Sequence, residues 1–457
     1  MRKSWVATAA VLALTLAACA GDAAPTTTSQ TQTTTSAEAT TTTRPQITDG
    51  GLVPIDPTTL VPVPGAKSIT QGDRFKGTVS PNGTWLALLK WLRSEQEWIE
   101  IVDLTTNEVV AETRVPQGAS GLQITDDGTA FWVSGDNRMT LFRLSAGANN
   151  REKVFDRFPE DFFTDTFQML GDDQFGFLGI ISTDVVNQGE ATIVILDAVD
   201  GSLTQVALPD VDIGIIAKGE PVDDVETLEV ANPVAVWDLE DERVLIVEAT
   251  RVVVTEVSLS DGEITEHPWR SPEAGLDRIL AWLMPTAQAK GLTTGITRDA
   301  VLSSDGRLLF VATSVRKIEE DREISRPSYL IVLDTETWEA QTIDAAVDRL
   351  YPSPDGVFLL AQGVEVIGGD LGVRASPVYV IDMATAELLI ELTTFEVIAT
   401  GVSFSRDGDF TYITTWTETE MKIDILDMGI LQLTGAISFR ELSLIGEAGL
   451  MAFHLDE

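Results

Sequence analysis

The chain has 457 residues, 44% hydrophobic and 22% charged, which is enough apolar material for one large core or two medium ones. Its 31 basic residues against 71 acidic ones give a formal charge of −40, which excludes the basic footprint that nucleic-acid binding needs. A single cysteine excludes a disulfide framework, and two histidines, His267 and His454, leave little for a histidine metal site.

In chain order, Arg2-Lys3 comes first and is followed by an apolar run over residues 5–18, too short for a comfortable transmembrane helix. The run ends in Leu16-Ala17-Ala18-Cys19, which resembles the bacterial lipobox. That resemblance implies a signal peptide over 1–18, cleavage before Cys19 and diacylglycerol on the Cys19 thiol; an incidental cysteine after an ordinary secretory signal is the plainer alternative. Loss of Arg2 and Lys3 takes the charge from −40 to −42. Residues 19–50 are rich in Thr, Ser, Ala and Pro and too poor in large apolar side chains to bury a core, so they read as a disordered tether. The expected location is the outer surface of the cell membrane, with the folded domain at 51–457.

That domain repeats one phrase: Ser80-Pro81-Asn82-Gly83, Thr125-Asp126-Asp127-Gly128, Ser303-Ser304-Asp305-Gly306, Ser353-Pro354-Asp355-Gly356 and Ser405-Arg406-Asp407-Gly408. Each copy lies between two short apolar runs and predicts a tight hairpin. A second hairpin follows, whose first strand ends in Asp before a Thr-rich turn, as in Ile101-Val102-Asp103-Leu104-Thr105-Thr106 and Val332-Leu333-Asp334-Thr335-Glu336-Thr337. Two hairpins in series make a four-stranded antiparallel unit, here with strands a to d. Gly83 to Gly128 is 45 residues, Gly306 to Gly356 is 50 and Gly356 to Gly408 is 52, a period that predicts an all-β propeller. Decayed turns at Gly171-Asp172-Asp173 and Trp237-Asp238 complete seven units.

The chain ends carry half-units. Residues 52–63 have the wording of a second hairpin and residues 442–453 that of a first hairpin. Their pairing would close a ring of eight blades, the last one composite; seven blades with partial terminal strands is the alternative. The wording of Val380-Ile381-Asp382-Met383-Ala384-Thr385 and Ser403-Phe404-Ser405-Arg406-Asp407-Gly408 resembles the YVTN/WD40-like bacterial propeller repeats. That resemblance implies a fold and no particular chemistry. The one Trp-Asp pair, Trp237-Asp238, stands before a first-hairpin turn and departs from the eukaryotic WD40 pattern.

Every a–b and c–d turn is short, whereas the long connections fall on the opposite face, in units three to six: residues 182–191, 208–231, 268–295, 315–328 and 363–376. Rigid scaffolds put binding on such loops. The segment 208–231 carries Asp210, Asp212, Asp223 and Asp224, weak candidates for calcium without the spacing of an EF-hand. Residues 272–289 read as one short helix, with Leu276, Ile279, Leu280, Leu283 and Met284 on one stripe. Packing on the propeller is its plain role, and Trp269, Arg270 and Trp282 give it partner-docking potential. The run 316–323 alternates in sign, and Arg316, Lys317 and Arg322 make a rare cationic spot in an acidic protein.

Catalytic motifs are missing: there is no Gly-x-Ser-x-Gly, no His-Glu-x-x-His and no phosphate loop. The expectation is therefore a membrane-anchored binding lipoprotein with no cofactor beyond calcium, whose partner is an envelope protein or glycan. The alternative is an extracellular propeller hydrolase or lyase that acts on a sugar or lactone through acidic residues.

Overall fold

The computed structural model describes residues 51–72, 74–92, 96–115, 118–134, 139–159, 162–164, 167–171, 173–181, 189–217, 228–231, 233–249, 251–269, 293–319, 322–367, 372–392, 399–416, 421–439, 442–445 and 450–453. Residues 1–50, where the signal peptide, lipidated Cys19 and tether are expected, lie outside them, as does the helix expected at 272–289. Among the described residues every regular element is a strand, and no helix is long and apolar enough to cross a membrane.

Seven four-stranded antiparallel blades follow one another at 74–115, 120–155, 162–217, 234–268, 293–347, 349–392 and 399–439. In the third blade two short strands, Phe162–Phe163 and Gln168–Met169, share the a position on Gln174–Ile181. Strand residues alternate between the two neighbouring blades, so each interface is a separate apolar core. Ala87, Ile99 and Ile101 of blade one meet Ala130, Trp132 and Leu144 of blade two. Phe131 and Leu141 then meet Phe175 and Phe177 of blade three, where Phe155, Phe158, Phe162 and Phe167 complete an aromatic layer. Equivalent clusters join blades three and four, four and five, five and six, and six and seven.

The chain ends close the ring. Gly51–Pro54 pairs antiparallel with Leu450–Phe453, which pairs with Leu442–Ile445. Val63 N–H donates to the Pro54 carbonyl (3.0 Å) and Asp56 N–H to that of Val61 (2.9 Å), which forms the second hairpin expected near the N-terminus. This closing sheet sits between blades seven and one. Leu52 and Leu450 pack on Phe75, Leu86, Leu88 and Val102, and the Tyr412 hydroxyl of blade seven donates to the Pro57 carbonyl at 2.8 Å. The ring thus holds seven complete blades, with a three-stranded composite sheet in the eighth position.

The repeated phrase is a turn whose polar groups satisfy each other. Ser303 Oγ donates to Asp305 Oδ1 (2.7 Å) and accepts from Leu308 N–H (2.8 Å), while Asp305 Oδ1 also accepts from Arg307 N–H (3.2 Å). Ser405, Asp407, Asp409 and Phe410 repeat the set at 2.5, 3.2 and 2.9 Å. Gly306 and Gly408 follow with φ of +71° and +76°, a region that a side chain disfavours. The second hairpins use the same logic with Asp103 and Asp334. Asp334 Oδ1 accepts from Thr337 N–H (2.9 Å), Glu336 N–H (3.1 Å) and Thr337 Oγ1 (2.9 Å).

These bonds favour the ionised carboxylates. Hydrogen bonds from Thr125 to Asp127, from Ser303 to Asp305 and from Ser405 to Asp407 hold those carboxyls below the ordinary 3.8, and bonds from Thr105 and Thr337 do the same for Asp103 and Asp334. A depressed folded value contributes stability that is present above the unfolded pKa and is lost as pH falls through the folded one. Burial acts in the opposite direction on Glu100, Asp299 and Asp424, whose carboxyls are raised, so their cost is relieved on acidification. The melting temperature is therefore expected to rise as pH falls toward about 4.5 and to fall once pH drops below about 3.8. Thermal melts across that range check this, and a monotonic rise into acid would contradict it.

Candidate functional site

With a–b and c–d turns on one face, the b–c and d–a connections share the other. Two of these connections are extended hairpins. In blade five the b strand Leu308–Glu319 and the c strand Arg322–Asp334 continue together up to the pair Glu319↔Arg322. In blade six Phe358–Ile367 and Gly372–Asp382 do the same up to Ile367↔Gly372. The two hairpins join edge to edge at Ile324↔Ile367 and Ser325↔Val366, which merges both blades into one eight-stranded sheet. The inner strand Thr293–Leu302 is long enough to add Thr293↔Lys317 and Thr294↔Arg316 on the other side. Above the ring this makes a wall of five backbone-paired segments. Blade three carries a further hairpin, where Ser202–Ala217 runs past its blade and pairs with Leu228–Ala231.

Residues 315–328 and 363–376, expected as loops, are therefore mostly strand. Arg316 and Lys317 are placed in one strand of the wall, opposite Ser325 and Ile324, and Arg322 pairs with Glu319 at its tip. Asp210 is exposed on the blade-three strand, where its carbonyl accepts from Arg251, and Asp212 pairs with Glu190. Asp223, Asp224, Arg270 and Trp282 lie outside the described residues. Among the described residues no three His, Cys, Asp or Glu side chains gather as a metal site.

Trp269 is 7% exposed and packs with Trp338, Val252 and Leu309 in the core between blades four and five. Its contribution in this arrangement is packing, not an exposed docking contact. His267, at the end of the same blade-four outer strand, stacks on Trp338 (4.1 Å between centroids, 13°) and lies 3.1 Å from Glu256 Oε2. It reads as a structural brace.

The two faces differ in how well their buried polar groups are matched. The turn serines at 303, 353 and 405 are all bonded. At the opposite ends of the b and c strands, Trp98 Nε1, Ser134 Oγ, Thr255 Oγ1, Thr313 Oγ1, Ser328 Oγ and both amide atoms of Gln362 have no partner among the described residues. Thr411 Oγ1 is the counter-example on the turn side. A buried polar atom left without a partner costs about 1–3 kcal/mol, and natural folds retain such groups where water or a ligand meets them. Sequence reasoning missed this layer because a lone Ser, Thr or Gln in an apolar run has no motif.

No protein-family model and no curated protein sequence matches the chain. A solved chain described as dihydro-heme d1 dehydrogenase NirN in complex with DHE superposes with a TM-score of 0.50 at 13% identity, covering 89% of this chain and 78% of that one. The fold is a β-propeller. A Lactobacillus plantarum protein gives a TM-score of 0.40 at 14% identity over 76% of this chain and 92% of its own. Saccharomyces cerevisiae Sqt1 gives 0.42 at 11% identity over 86% and 87%. At 13% identity the likeness to the first of these chains is one of fold and extends to no ligand.

Proposed function

We propose that this propeller is an exported binding lipoprotein, held at the outer membrane surface by acylated Cys19 and lifted from it by the 19–50 tether. Two acyl chains supply stable anchorage where one is marginal. The binding surface is the wall above blades five and six, and its partner is an envelope protein. The observation that carries this reading is the edge-to-edge union of two hairpins that the ring itself does not need. Paired strands present a rigid surface, and the outer edge of Gly372–Ala375 has no partner strand among the described residues, the geometry by which proteins add one. A glycan was an equal expectation from the sequence, and the strand edge favours a protein at this face.

The hydrolase alternative gains no support from half-buried Asp299 or from buried Asp424. Asp299 accepts from the N–H groups of Ala300 and Leu350 (both 2.9 Å), and Asp424 is bonded to Lys422 at 2.6 Å. The Leu350 bond ties two blades together, and Lys422 lies on Asp424's own strand.

Replacing residues 317–324 by a two-residue Asn-Gly turn keeps the Arg316↔Ser325 pair and should shorten the blade-five hairpin and leave the ring folded. Cross-linking in intact cells is expected to lose the partner band at least about ten-fold, a change of about 1.4 kcal/mol or more. Changing Cys19 to Ser should move the protein from the membrane to the soluble fraction. An unchanged band after hairpin replacement would reject the wall, and membrane retention of C19S would reject the anchor.

A further inference from the structure

A second polar site lies away from the wall, along the outer strand of blade one. Lys90 and Glu100 form an ion pair buried between blade one and the closing sheet, with side chains 8% and 2% exposed. Thr70 Oγ1 completes the triad, accepting from Lys90 Nζ (2.9 Å) and donating to Glu100 Oε1 (3.1 Å). The other carboxylate oxygen, Glu100 Oε2, is buried with no partner among the described residues, and so is the indole N–H of Trp98. Both residues line a groove of about 970 Å³ that reaches Arg114 and, from blade two, Asn149, Asn150 and Arg151. That volume is at the upper end of the usual range for small-molecule sites, roughly 300–1,000 Å³. Two residues that line this space, Glu100 and Trp98, thus each carry a buried polar atom without a partner among the described residues.

The charges select the ligand class. Lys90 neutralises Glu100, and Arg151 is committed to the Arg114 carbonyl and to the Phe142 ring, 5.0 Å from its centroid. Glu100 and Glu112 are directly opposed on neighbouring strands, and Trp98 and Arg114 are the next such pair. An anion entering the groove meets two carboxylates, and a cation competes with Lys90 for Glu100. A hydroxyl group does neither, because it donates to the free carboxylate oxygen while accepting from an indole, guanidinium or amide N–H. Tryptophan adds a large, weakly polar surface beside these groups.

We propose that this groove binds a neutral, hydroxyl-rich ligand, a saccharide of the cell envelope. The site is independent of the wall. The test is isothermal titration of the full chain with N-acetylglucosamine tetramer and glucose tetramer, with inorganic phosphate and spermidine as charged probes. At least one oligosaccharide is expected to bind in the micromolar to millimolar range. Trp98→Phe keeps a ring but removes the donor, and Arg114→Ala removes an exposed rim donor; each is expected to weaken binding about ten-fold or more. Arg114 is exposed, so R114A tests the site even if W98F perturbs folding. Replacement of residues 317–324 should leave saccharide affinity unchanged. The proposal is overturned if neither oligosaccharide binds and water alone fills the groove, if both variants bind as tightly as the parent, or if only phosphate or spermidine binds.

Discussion

Lys90→Met is expected to destabilise the protein by about 3–5 kcal/mol, because it strands the Glu100 carboxylate in a site where the residue is 1% exposed. Much of that cost is the desolvated charge itself and only part is the lost bond. Burial already pushes the Glu100 carboxyl up, and removing the ammonium that stabilises its anion pushes it further. The deficit should therefore shrink as pH falls and Glu100 takes up a proton. Pairing Lys90→Met with Glu100→Leu removes both charges, and the double variant should recover most or all of the loss. Urea unfolding at about pH 8 and about pH 5 measures all three values. A single variant as stable as the parent at both pH values would show that the pair is solvated.

Trp132→Ala is expected to cost a similar amount, about 3–5 kcal/mol, through the cavity it opens. Trp132 is fully buried between blades one and two, against Ala87, Leu89, Ile99 and Leu144, and stacks on Phe142 at 5.7 Å between centroids. Every strand around it is paired, so the site has little freedom to collapse. Trp132→Phe should cost far less. It leaves a smaller void and also removes an indole N–H that has no partner among the described residues. Urea midpoints that rank W132A well below W132F and the parent support this packing account; equal midpoints would contradict it.

The fold was legible because its code is local. A serine, an aspartate two residues on and a glycine after that satisfy one turn by themselves, so each copy marks a hairpin wherever it falls. The half-units at the ends were legible for the same reason: Asp56 accepts from Thr58 N–H and Thr59 N–H as Asp103 does from Thr105 N–H and Thr106 N–H. The wall was only half legible. Its position follows from connection length, but the alternating charges of 316–323 masked a strand. Val364-Glu365-Val366-Ile367 before Gly368-Gly369 was an available hairpin signal in the next blade.

The groove could not be read from local pattern, because it needs the register of three strands and the return of Thr70 from the N-terminal end. One trace was present. A glutamate between Ile99 and Ile101 and a lysine after Leu88-Leu89 each put a charge in a run that otherwise faces a core. A buried charge requires a partner, and two such breaks in adjacent strands name each other. Trp269 shows the opposite error: its residue type suggested an interface, and its place in the fold is a core.

The central claim is that this propeller meets its partner on the face opposite its repeated turns. Hydrogen exchange of the protein with and without isolated cell envelope measures this directly. Added protection is predicted in peptides covering 293–297, 314–328 and 362–378, with none at 80–84, 303–307 or 353–357. Protection confined to those turns, or absent from both faces, would contradict it.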